Sequence, residues 1–369
     1  LWKLSCVVLD NKNVAKPPLA DCPPFESCKE LNLYNNLIAK WSDLFAILDF
    51  FPSLLYLNVR RNIMEPRMSS VDRKVKSPVI LLVISECHID EETAKKLMQI
   101  FPRLAELYIS RNGLKYFDPG DYGRNLTVLD LEGNPINDFT RLHNLASLPR
   151  LVSLNLTECG LTAIRLPDPV GFYALKTLIM RNNDVHDWES VSEIAKLPAL
   201  QQLLYNGNWQ VKPEFGLDVR EVLIAKLPKL IDLERSEISP VERRSAEIRF
   251  LNKYSVSPVC QQHVNDIERL KRVHGEPDIV NQTMNLGLSL IELNVTLDCK
   301  SVKCSFLTST TVARAKGIIA RIFHANPRKI SLTAECGSER FRLELDNPLR
   351  SIDFYSLADG DTVIVTVSE

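Results

Sequence analysis

The most regular feature of the chain is a hydrophobic pattern that recurs eight times between Cys28 and Gln210. In each copy an apolar residue is followed by further apolar residues at offsets three and five, and by asparagine or cysteine at offset eight. Successive copies start 22 to 26 residues apart. The copies start at Cys28, Leu54, Val79, Leu104, Leu126, Leu151, Leu175 and Leu200. A nearly constant period of this length predicts an array of stacked structural repeats.

The polar position at offset eight identifies the type of repeat. It is occupied by Asn36, Asn62, Cys87, Asn112, Asn134, Cys159, Asn183 and Asn208. Asparagine or cysteine at this position, with a period between 20 and 29 residues, is typical of leucine-rich repeats, in which each repeat contributes one short parallel strand and a helical or 3₁₀ return segment. We therefore predict an α/β leucine-rich-repeat solenoid. Solenoids of this type use an extended concave sheet to bind other proteins.

The flanking segments set the predicted domain boundaries. Residues 1–27, with two Pro-Pro pairs, are expected to form a degenerate repeat or N-terminal cap, and residues 28–238 the repeats with their C-terminal cap. Four amphipathic stretches between the predicted strands are compatible with helix: Ser42–Phe50, Glu91–Ile100, Phe139–Ala146 and Glu189–Lys196.

A charged segment follows the repeats, and we assign residues 239–287 to a helical cap and linker. Ser239 as N-cap, Pro240 at the first helical position and Glu242 in the first turn predict a helix over Pro240–Tyr254. A second helix is expected within Cys260–Gly275.

Residues 288–369 follow a different pattern, that of an α+β domain. Alternating residues predict strands flanking one amphipathic helix, and the order strand, strand, helix, strand, strand, strand is that of the ubiquitin-like β-grasp fold. The predicted strands are Ser289–Asp298, Lys303–Thr308, Lys329–Ala334, Arg340–Leu345 and Thr362–Val367, and the helix is Thr311–Phe323.

Composition and charge limit the possible functions. The chain is 45% hydrophobic and 25% charged with a formal net charge of -1, so no global basic surface points to nucleic acid or to an anionic membrane. The longest strongly apolar run, Val79–Ile84, is too short to span a bilayer. The nine cysteines are scattered without a Cys-x-x-Cys pair, which favours reduced thiols in the cytosol over a disulfide framework.

No pattern associated with catalysis is present in the sequence. The six histidines have no mutual spacing typical of metal ligands or of a catalytic triad, and nucleotide-binding and nucleophile-elbow motifs are absent. We therefore expect no enzymatic activity, no metal site and no cofactor.

The residues flanking the core leucine of each predicted strand should point to the concave face. Tyrosine and arginine are enriched in the energetically important parts of interfaces. Arg60 and Arg181, together with Arg61 and Arg111 beside the sheet edge, could supply positive charge to an acidic partner. The alternative is that these polar side chains are simply solvated. The candidates are Tyr34, Tyr56, Arg60, Arg61, Tyr108, Arg111, Asp130, Glu132 and Arg181.

Two segments outside the repeats resemble a known family. Ser239–Glu247, read Ser-Pro-Val-Glu-Arg-Arg-Ser-Ala-Glu, is similar to the Pro-Glu-Glu-Arg-Arg-x-Ala-Glu cap of the tubulin-specific chaperone E family, also called tubulin-folding cofactor E. The stretch Leu349–Val365, with its Phe-Tyr-Ser segment, resembles the last strand of that family and the approach to it. Trp41 and Trp188, each a few residues past a ladder asparagine, also fit. The resemblance covers essentially the whole chain.

One departure from the family pattern stands at the N-terminus. Family members begin with a CAP-Gly domain, which grips the acidic tail of α-tubulin, and its glycine-rich signature is absent here. Either the sequence starts downstream of that domain, or it is the related cofactor E-like protein, which lacks it. Because the sequence starts with Leu1 and not with methionine, we favoured the first reading.

The resemblance implies a non-enzymatic function in the cytoplasm and at the cytoskeleton. It implies that the concave face engages α-tubulin, that the ubiquitin-like domain adds a second contact, and that the αβ-tubulin heterodimer is assembled or dissociated. Implied partners are α-tubulin, other tubulin-folding cofactors and the proteasome.

Two other functions are also compatible with the sequence. One is a ubiquitin-pathway adaptor that links a client on the repeats to the proteasome, and the other is a phosphatase-regulating repeat protein. Ser331 and Thr366 are expected where ubiquitin carries its apolar recognition patch, and their polarity counts against the adaptor.

Overall fold

The computed structural model divides the chain into two compact units. The first ends at Ile238 and the second extends from Ser239 to the C-terminus. The structure describes residues 4–19, 21–68, 77–185, 187–205, 217–255, 263–277, 290–298, 300–327, 329–336 and 341–367.

In the described residues, the first unit is built on one eleven-stranded sheet in which the strands follow chain order. Neighbouring strands are parallel, except that the last two form an antiparallel pair. The strands are β1 Cys6–Val8, β2 Glu30–Asn32, β3 Tyr56–Asn58, β4 Leu81–Val83, β5 Glu106–Tyr108, β6 Val128–Asp130, β7 Ser153–Asn155, β8 Thr177–Ile179, β9 Gln202–Leu204, β10 Asp232–Leu233 and β11 Ser236–Glu237.

The strands β2 to β9 occur where the hydrophobic pattern predicted them, because the middle residue of each is the second apolar residue of a repeat. These leucines lie opposite one another in the sheet register and are at most 1% exposed. They are Leu31, Leu57, Leu82, Leu107, Leu129, Leu154, Leu178 and Leu203. The predicted leucine-rich-repeat solenoid is confirmed, and β1 extends its sheet toward the N-terminus.

The ladder asparagines stabilise the turn after each strand. Asn62 is fully buried, and its amide donates to the carbonyl oxygens of Val59 at 2.8 Å and Leu33 at 2.9 Å. Its Oδ1 accepts from the backbone amide of Ile38 at 3.1 Å. One side chain thus satisfies buried backbone groups of its own repeat and of the preceding one.

Cysteine replaces asparagine in two of these positions, and its thiol still donates a hydrogen bond to a backbone carbonyl oxygen of the preceding repeat. The Cys87 thiol donates to the carbonyl oxygen of Val59 at 3.2 Å, and the Cys159 thiol to that of Leu131 at 3.4 Å. Burial raises the pKa of both thiols to about 12, so both stay protonated. The eighth ladder residue, Asn208, lies outside the described residues.

The residue before each ladder position has a positive φ angle, which turns the chain sharply out of the strand. The values lie between 51° and 67° in seven repeats. These residues are Asn35, Arg61, Glu86, Arg111, Gly133, Glu158 and Asn182. Their side chains form a row that we call the rim of the sheet.

Helical segments lie between β2 and β3, between successive strands from β4 to β7, and between successive strands from β8 to β10. The α-helices are α1 Trp41–Leu48, α2 Glu91–Ile100, α3 Trp188–Ala195 and α4 Val219–Lys226. Asp90, Asp187 and Asp218 cap α2, α3 and α4 by accepting hydrogen bonds from backbone amides. Phe139–Ser147, predicted as a helix-compatible stretch, forms a 3₁₀ helix, as does Gly120–Asn125.

The second unit starts with two packed helices, α5 Pro240–Tyr254 and α6 Val264–His274. Ser239 caps α5 by accepting from the backbone amide of Glu242 at 3.1 Å, as predicted. His274 on α6 contacts the largely buried Glu247 on α5 at 2.7 Å. The assignment of residues 239–287 to a cap and linker stays a prediction.

The rest of the second unit has the predicted ubiquitin-like fold. Its sheet has the order β13-β12-β16-β14-β15, with β12 and β16 parallel and the other neighbours antiparallel. Val241 of α5 packs against the core of this fold, and Arg249 of α5 lies 4.0 Å from Asp353. The elements are β12 Leu290–Leu297, β13 Lys300–Leu307, α7 Val312–Ile322, β14 Ile330–Cys336, β15 Phe341–Glu344 and β16 Thr362–Val367.

Candidate protein-binding face

The predicted interface residues lie on one side of the first sheet, which we call the open face. It consists of the two outer residues of each strand and the second residue after it, on the side opposite the buried leucines. Hydrogen-bonded register places Glu30 beside Tyr56, Tyr56 beside Leu81, and Leu81 beside Glu106. Tyr34, Tyr56, Arg60, Tyr108, Asp130, Glu132 and Arg181 belong to the open face, and Arg61 and Arg111 to the rim.

The arginines near the N-terminal half of the face are paired with one carboxylate. Arg60 and Arg61 both bind Glu86, with Arg61 Nε donating at 2.7 Å. Arg61 also donates to the Tyr34 hydroxyl at 2.7 Å, and its guanidinium carbon lies 5.8 Å from the centre of that ring. The two guanidinium groups hold the pKa of Glu86 below its usual value. These contacts join three successive repeats at the rim.

The remaining candidate arginines are also paired with acids. Arg111 contacts Glu132 at 2.9 Å and Glu158 at 2.5 Å. Arg181 contacts Glu234 at 2.8 Å. Each candidate arginine therefore has a carboxylate partner within the chain, and its positive charge is largely compensated before any partner arrives.

The net charge of the open face is negative, although the candidate arginines contribute positive groups to it, and their role in binding stays a prediction. From β1 to β10, where the register with β9 places Asp232 and Glu234 on this side, the described part of the face carries seven carboxylates and two guanidinium groups, an excess of five negative charges. At the rim, Arg61 and Arg111 are balanced by Glu86 and Glu158. The open face holds Asp10, Glu30, Glu106, Asp130, Glu132, Asp232 and Glu234 against Arg60 and Arg181.

Asp130 occupies a position that asparagine fills in other repeats. Its Oδ1 accepts from the backbone amide of Glu132 at 2.9 Å. Asn32, Asn58 and Asn155 make the same hydrogen bond to the amide two residues later, at 3.0 to 3.1 Å. Burial raises the pKa of Asp130. The fold needs an oxygen acceptor at this position, but it does not need a negative charge.

An apolar cavity of about 270 Å³ lies on the open face over β2, β3 and β4. Tyr56, Leu81 and Val83 supply its partly exposed apolar side chains, and Glu30 lies at one side. Glu106 follows on the other side, where its carboxylate accepts from the Tyr108 hydroxyl at 3.0 Å. Burial and this hydrogen bond raise the pKa of Tyr108 to about 12, so the phenol remains a donor.

The cavity was not predicted from the sequence, and the two acids beside it were not among the candidate binding residues. Leu81 and Val83 were not candidates either, because tyrosine and arginine are the residue types enriched in interfaces and β4 carries neither on this face. Both flank the buried Leu82 on β4, and because successive residues of a strand face opposite sides, this position in the sequence places them on the open face.

In the second unit, Ser331 and Thr366 are register partners on β14 and β16, and their hydroxyl groups hydrogen-bond to each other. Thr333 lies on the same side of β14. This part of the sheet presents hydroxyl groups and no large apolar side chain at the two positions predicted from ubiquitin.

The described residues lack both a metal site and a membrane-spanning helix. They contain no group of three or more His, Cys, Asp or Glu side chains placed to hold a metal ion. Among the same residues, no helix has the length and apolar character needed to cross a membrane.

Comparison with known proteins agrees with the resemblance seen in the sequence. Tubulin-specific chaperone E of Homo sapiens is 26% identical over 377 residues, an alignment that covers 93% of this chain and 71% of that protein. The resemblance to tubulin-specific chaperone E is confirmed. Tubulin-folding cofactor E of Arabidopsis thaliana is also 26% identical, over 91% of this chain and 69% of that protein.

A solved structure from the same family matches part of the chain. The C-terminal ubiquitin-like domain of mouse tubulin-specific chaperone E is 26% identical and covers 23% of this chain and 95% of that domain, with a TM-score of 0.21. No protein-family model matches the sequence.

Proposed function

We propose that this chain is a tubulin-folding cofactor that binds α-tubulin and assists assembly or dissociation of the αβ-tubulin heterodimer. The observation that carries the proposal is the alignment with tubulin-specific chaperone E along 93% of the chain, which includes both compact units. Other tubulin-folding cofactors and the proteasome are further proposed partners. The proposed site of action is the cytoplasm and the cytoskeleton.

The proposed mechanism uses binding energy alone. The open face holds α-tubulin, and the ubiquitin-like fold adds a second contact. A cofactor changes the heterodimer equilibrium only by as much as its affinity differs between free and dimeric α-tubulin. An extended face with tyrosines and paired charges supports a protein partner, because such residues dominate interface energies.

A ubiquitin-pathway adaptor is less well supported. The hydroxyl pair of Ser331 and Thr366 leaves little apolar area for a ubiquitin-binding helix, and burial of apolar area is what stabilises such contacts. No contact in the described part of the chain favours this alternative over the tubulin role.

The experiment that tests the proposed function is to mix the purified chain with αβ-tubulin and separate the products by size exclusion. We expect the chain to co-elute with α-tubulin, identified by mass spectrometry, and the heterodimer peak to decrease. An unchanged heterodimer with no co-eluting chain contradicts the proposal.

A matched pair of tyrosine variants assigns the binding to the open face. Tyr56→Ala removes a 40% exposed tyrosine from the cavity, and Tyr122→Ala removes a 49% exposed tyrosine from the 3₁₀ segment at Gly120–Asn125. Loss of a central aromatic residue should weaken tubulin binding by at least about tenfold. Tyr122→Ala should leave it unchanged, and equal losses in both variants contradict the assignment.

A further inference from the structure

The cavity on the open face lies between two carboxylates that lack a cationic partner. In the described part of the chain, no lysine, arginine or histidine nitrogen lies within 4.0 Å of Glu30 or Glu106. Tyr56, Leu81 and Val83 form the apolar surface between them. An apolar depression with an uncompensated acid on each side matches a ligand that is apolar in the middle and cationic at both ends.

The sheet register sets the spacing that such a ligand must have. Glu30 on β2 and Glu106 on β5 are three strands apart in one row across the sheet. Strands lie about 4.8 Å apart, so the two backbone positions are separated by about 14 Å. An extended peptide crossing the strands advances about 13 Å over four residues, and its first, third and fifth side chains point the same way. A basic-x-apolar-x-basic segment therefore matches the row.

The aromatic ring in the row also favours basic side chains. The stems of arginine and lysine pack on apolar surfaces while their charged ends reach outward. The partly exposed ring of Tyr56 offers a face to a guanidinium or ammonium group. A cation bound between Tyr56 and Glu30 would thus combine apolar contact with charge pairing.

Asp130 shows that the negative charge of this face exceeds what the fold requires. Asn32, Asn58 and Asn155 make the equivalent hydrogen bond without a charge, yet Asp130 brings a partly buried carboxylate next to Glu132. Functional surfaces commonly retain groups that cost stability. A basic partner would compensate this charge when it binds.

We propose that the open face binds an extended basic segment, with a central apolar side chain in the Tyr56–Leu81–Val83 cavity and flanking arginine or lysine side chains on Glu30 and Glu106. This gives the chemistry of the partner surface and rests on the proposed function for the identity of the partner, a basic segment of tubulin. The same charges disfavour an acidic segment.

The chemistry can be tested without tubulin. The probe is a fluorescein-labelled peptide, Gly-Gly-Arg-Ser-Leu-Ser-Arg-Gly-Gly, and the control peptide has glutamate in place of both arginines. Anisotropy with the full chain should give at least about tenfold tighter binding of the arginine peptide, and this preference should shrink at high salt, which screens exposed charges. Equal affinity for the two peptides, or no measurable binding of the arginine peptide, overturns the proposal.

Two double variants with the same change in net charge locate the binding. Glu30→Lys with Glu106→Lys reverses the acids of the row. Asp121→Lys with Glu189→Lys reverses acids that are 95% and 79% exposed in helical segments. The first pair should reduce affinity for the arginine peptide by at least about tenfold and the second by less than about twofold. Equal effects contradict a site in the row.

The outcomes separate this proposal from the proposed function. If the chain binds the arginine peptide through Glu30 and Glu106 but does not bind tubulin, the basic-segment site is supported and the proposed tubulin partner is contradicted. A chain that binds tubulin but does not discriminate between the two peptides supports the tubulin role and contradicts the basic-segment site.

Discussion

Both units of the protein leave one face of a sheet uncovered, but the two faces offer different chemistry. The open face of the repeats has an apolar cavity, tyrosines and an excess of carboxylates. The ubiquitin-like sheet presents Ser331, Thr333 and Thr366 at the open positions of β14 and β16, with Ile364 as the one apolar side chain among them. Apolar burial and charge pairing provide most of the energy and selectivity of protein recognition. This difference supports our proposal that the open face of the repeats is the main binding surface for a protein partner.

The two units also differ in the interactions that stabilise each of them internally. The ubiquitin-like fold has a core of apolar side chains and one tyrosine, such as Leu332, Val363 and Tyr355. The repeats combine buried leucines with buried asparagines such as Asn62. We therefore expect the first unit to depend on side-chain hydrogen bonds to a degree that the second does not.

The largest expected effect is in the core of the ubiquitin-like fold. Leu332→Ala removes a side chain that is 1% exposed and should cost about 2–5 kcal/mol of stability. Its neighbour Ser331 faces the other side of the sheet, and Ser331→Ala should change stability by less than about 0.5 kcal/mol. Hydrogen-exchange mass spectrometry of residues 290–298 and 329–336 measures both. Equal losses of stability in the two variants would contradict the assignment of Leu332 to the buried side of β14 and of Ser331 to the open side.

The next effect tests the asparagine ladder. Asn62→Ala leaves buried backbone groups unpaired and should destabilise the first unit by about 2 kcal/mol. Asn58→Ala on the open face removes one acceptor near solvent and should cost about 1 kcal/mol or less. Tryptophan fluorescence during denaturation reports the first unit, because all four tryptophans precede Ile238. A smaller loss for Asn62 than for Asn58 contradicts the ladder account.

A gain-of-binding experiment tests the polarity of the ubiquitin-like face. Ser331→Ile combined with Thr366→Val would create an apolar patch at the positions predicted from ubiquitin. Binding of a ubiquitin-interacting helix should then strengthen by about tenfold, as expected for an added apolar area worth roughly 1.4 kcal/mol. The original chain should bind this helix weakly, and ubiquitin-like affinity without the substitutions contradicts our assignment of the two faces.

The smallest expected effect concerns the charge of Asp130. Because burial raises its pKa above the unfolded value, deprotonation destabilises the folded state, and this cost develops as pH rises through the unfolded and then the folded pKa. Asp130→Asn should therefore stabilise the first unit slightly at neutral pH, by roughly 0.5 kcal/mol or less, and lose this advantage in acid. Thermal unfolding at pH 7 and pH 3 checks the sign. Destabilisation at pH 7 would show that the carboxylate is required by the fold.

Much of the architecture could be predicted from the sequence. The leucine spacing located the strands, because only one side of each strand is buried, and the ladder positions require a side chain that satisfies buried carbonyls. Ser239, Pro240 and Glu242 located the start of α5, since N-cap chemistry is local. The helix predicted within Cys260–Gly275 starts at Val264, and the 3₁₀ geometry of Phe139–Ser147 was not anticipated.

The charge of the candidate face could not be predicted in the same way. Arg60 and Glu86 are 26 residues apart, and Arg181 and Glu234 are 53 residues apart. Such pairs depend on which side chains the stacking of repeats brings together at the rim and on the open face. The sequence alone shows unpaired arginines, whereas the fold pairs each of them with a carboxylate, and among the described residues no cation pairs with Glu30 or Glu106.

The most direct test of the account is the affinity of the full chain for αβ-tubulin, compared between the unmodified chain and the two charge-reversal pairs. If tubulin binds the open face through basic groups, Glu30→Lys with Glu106→Lys will weaken binding by at least about tenfold, and Asp121→Lys with Glu189→Lys will stay within about twofold of the unmodified chain. Equal affinity for all three proteins would contradict the claim that the open face of the repeats is the tubulin-binding surface.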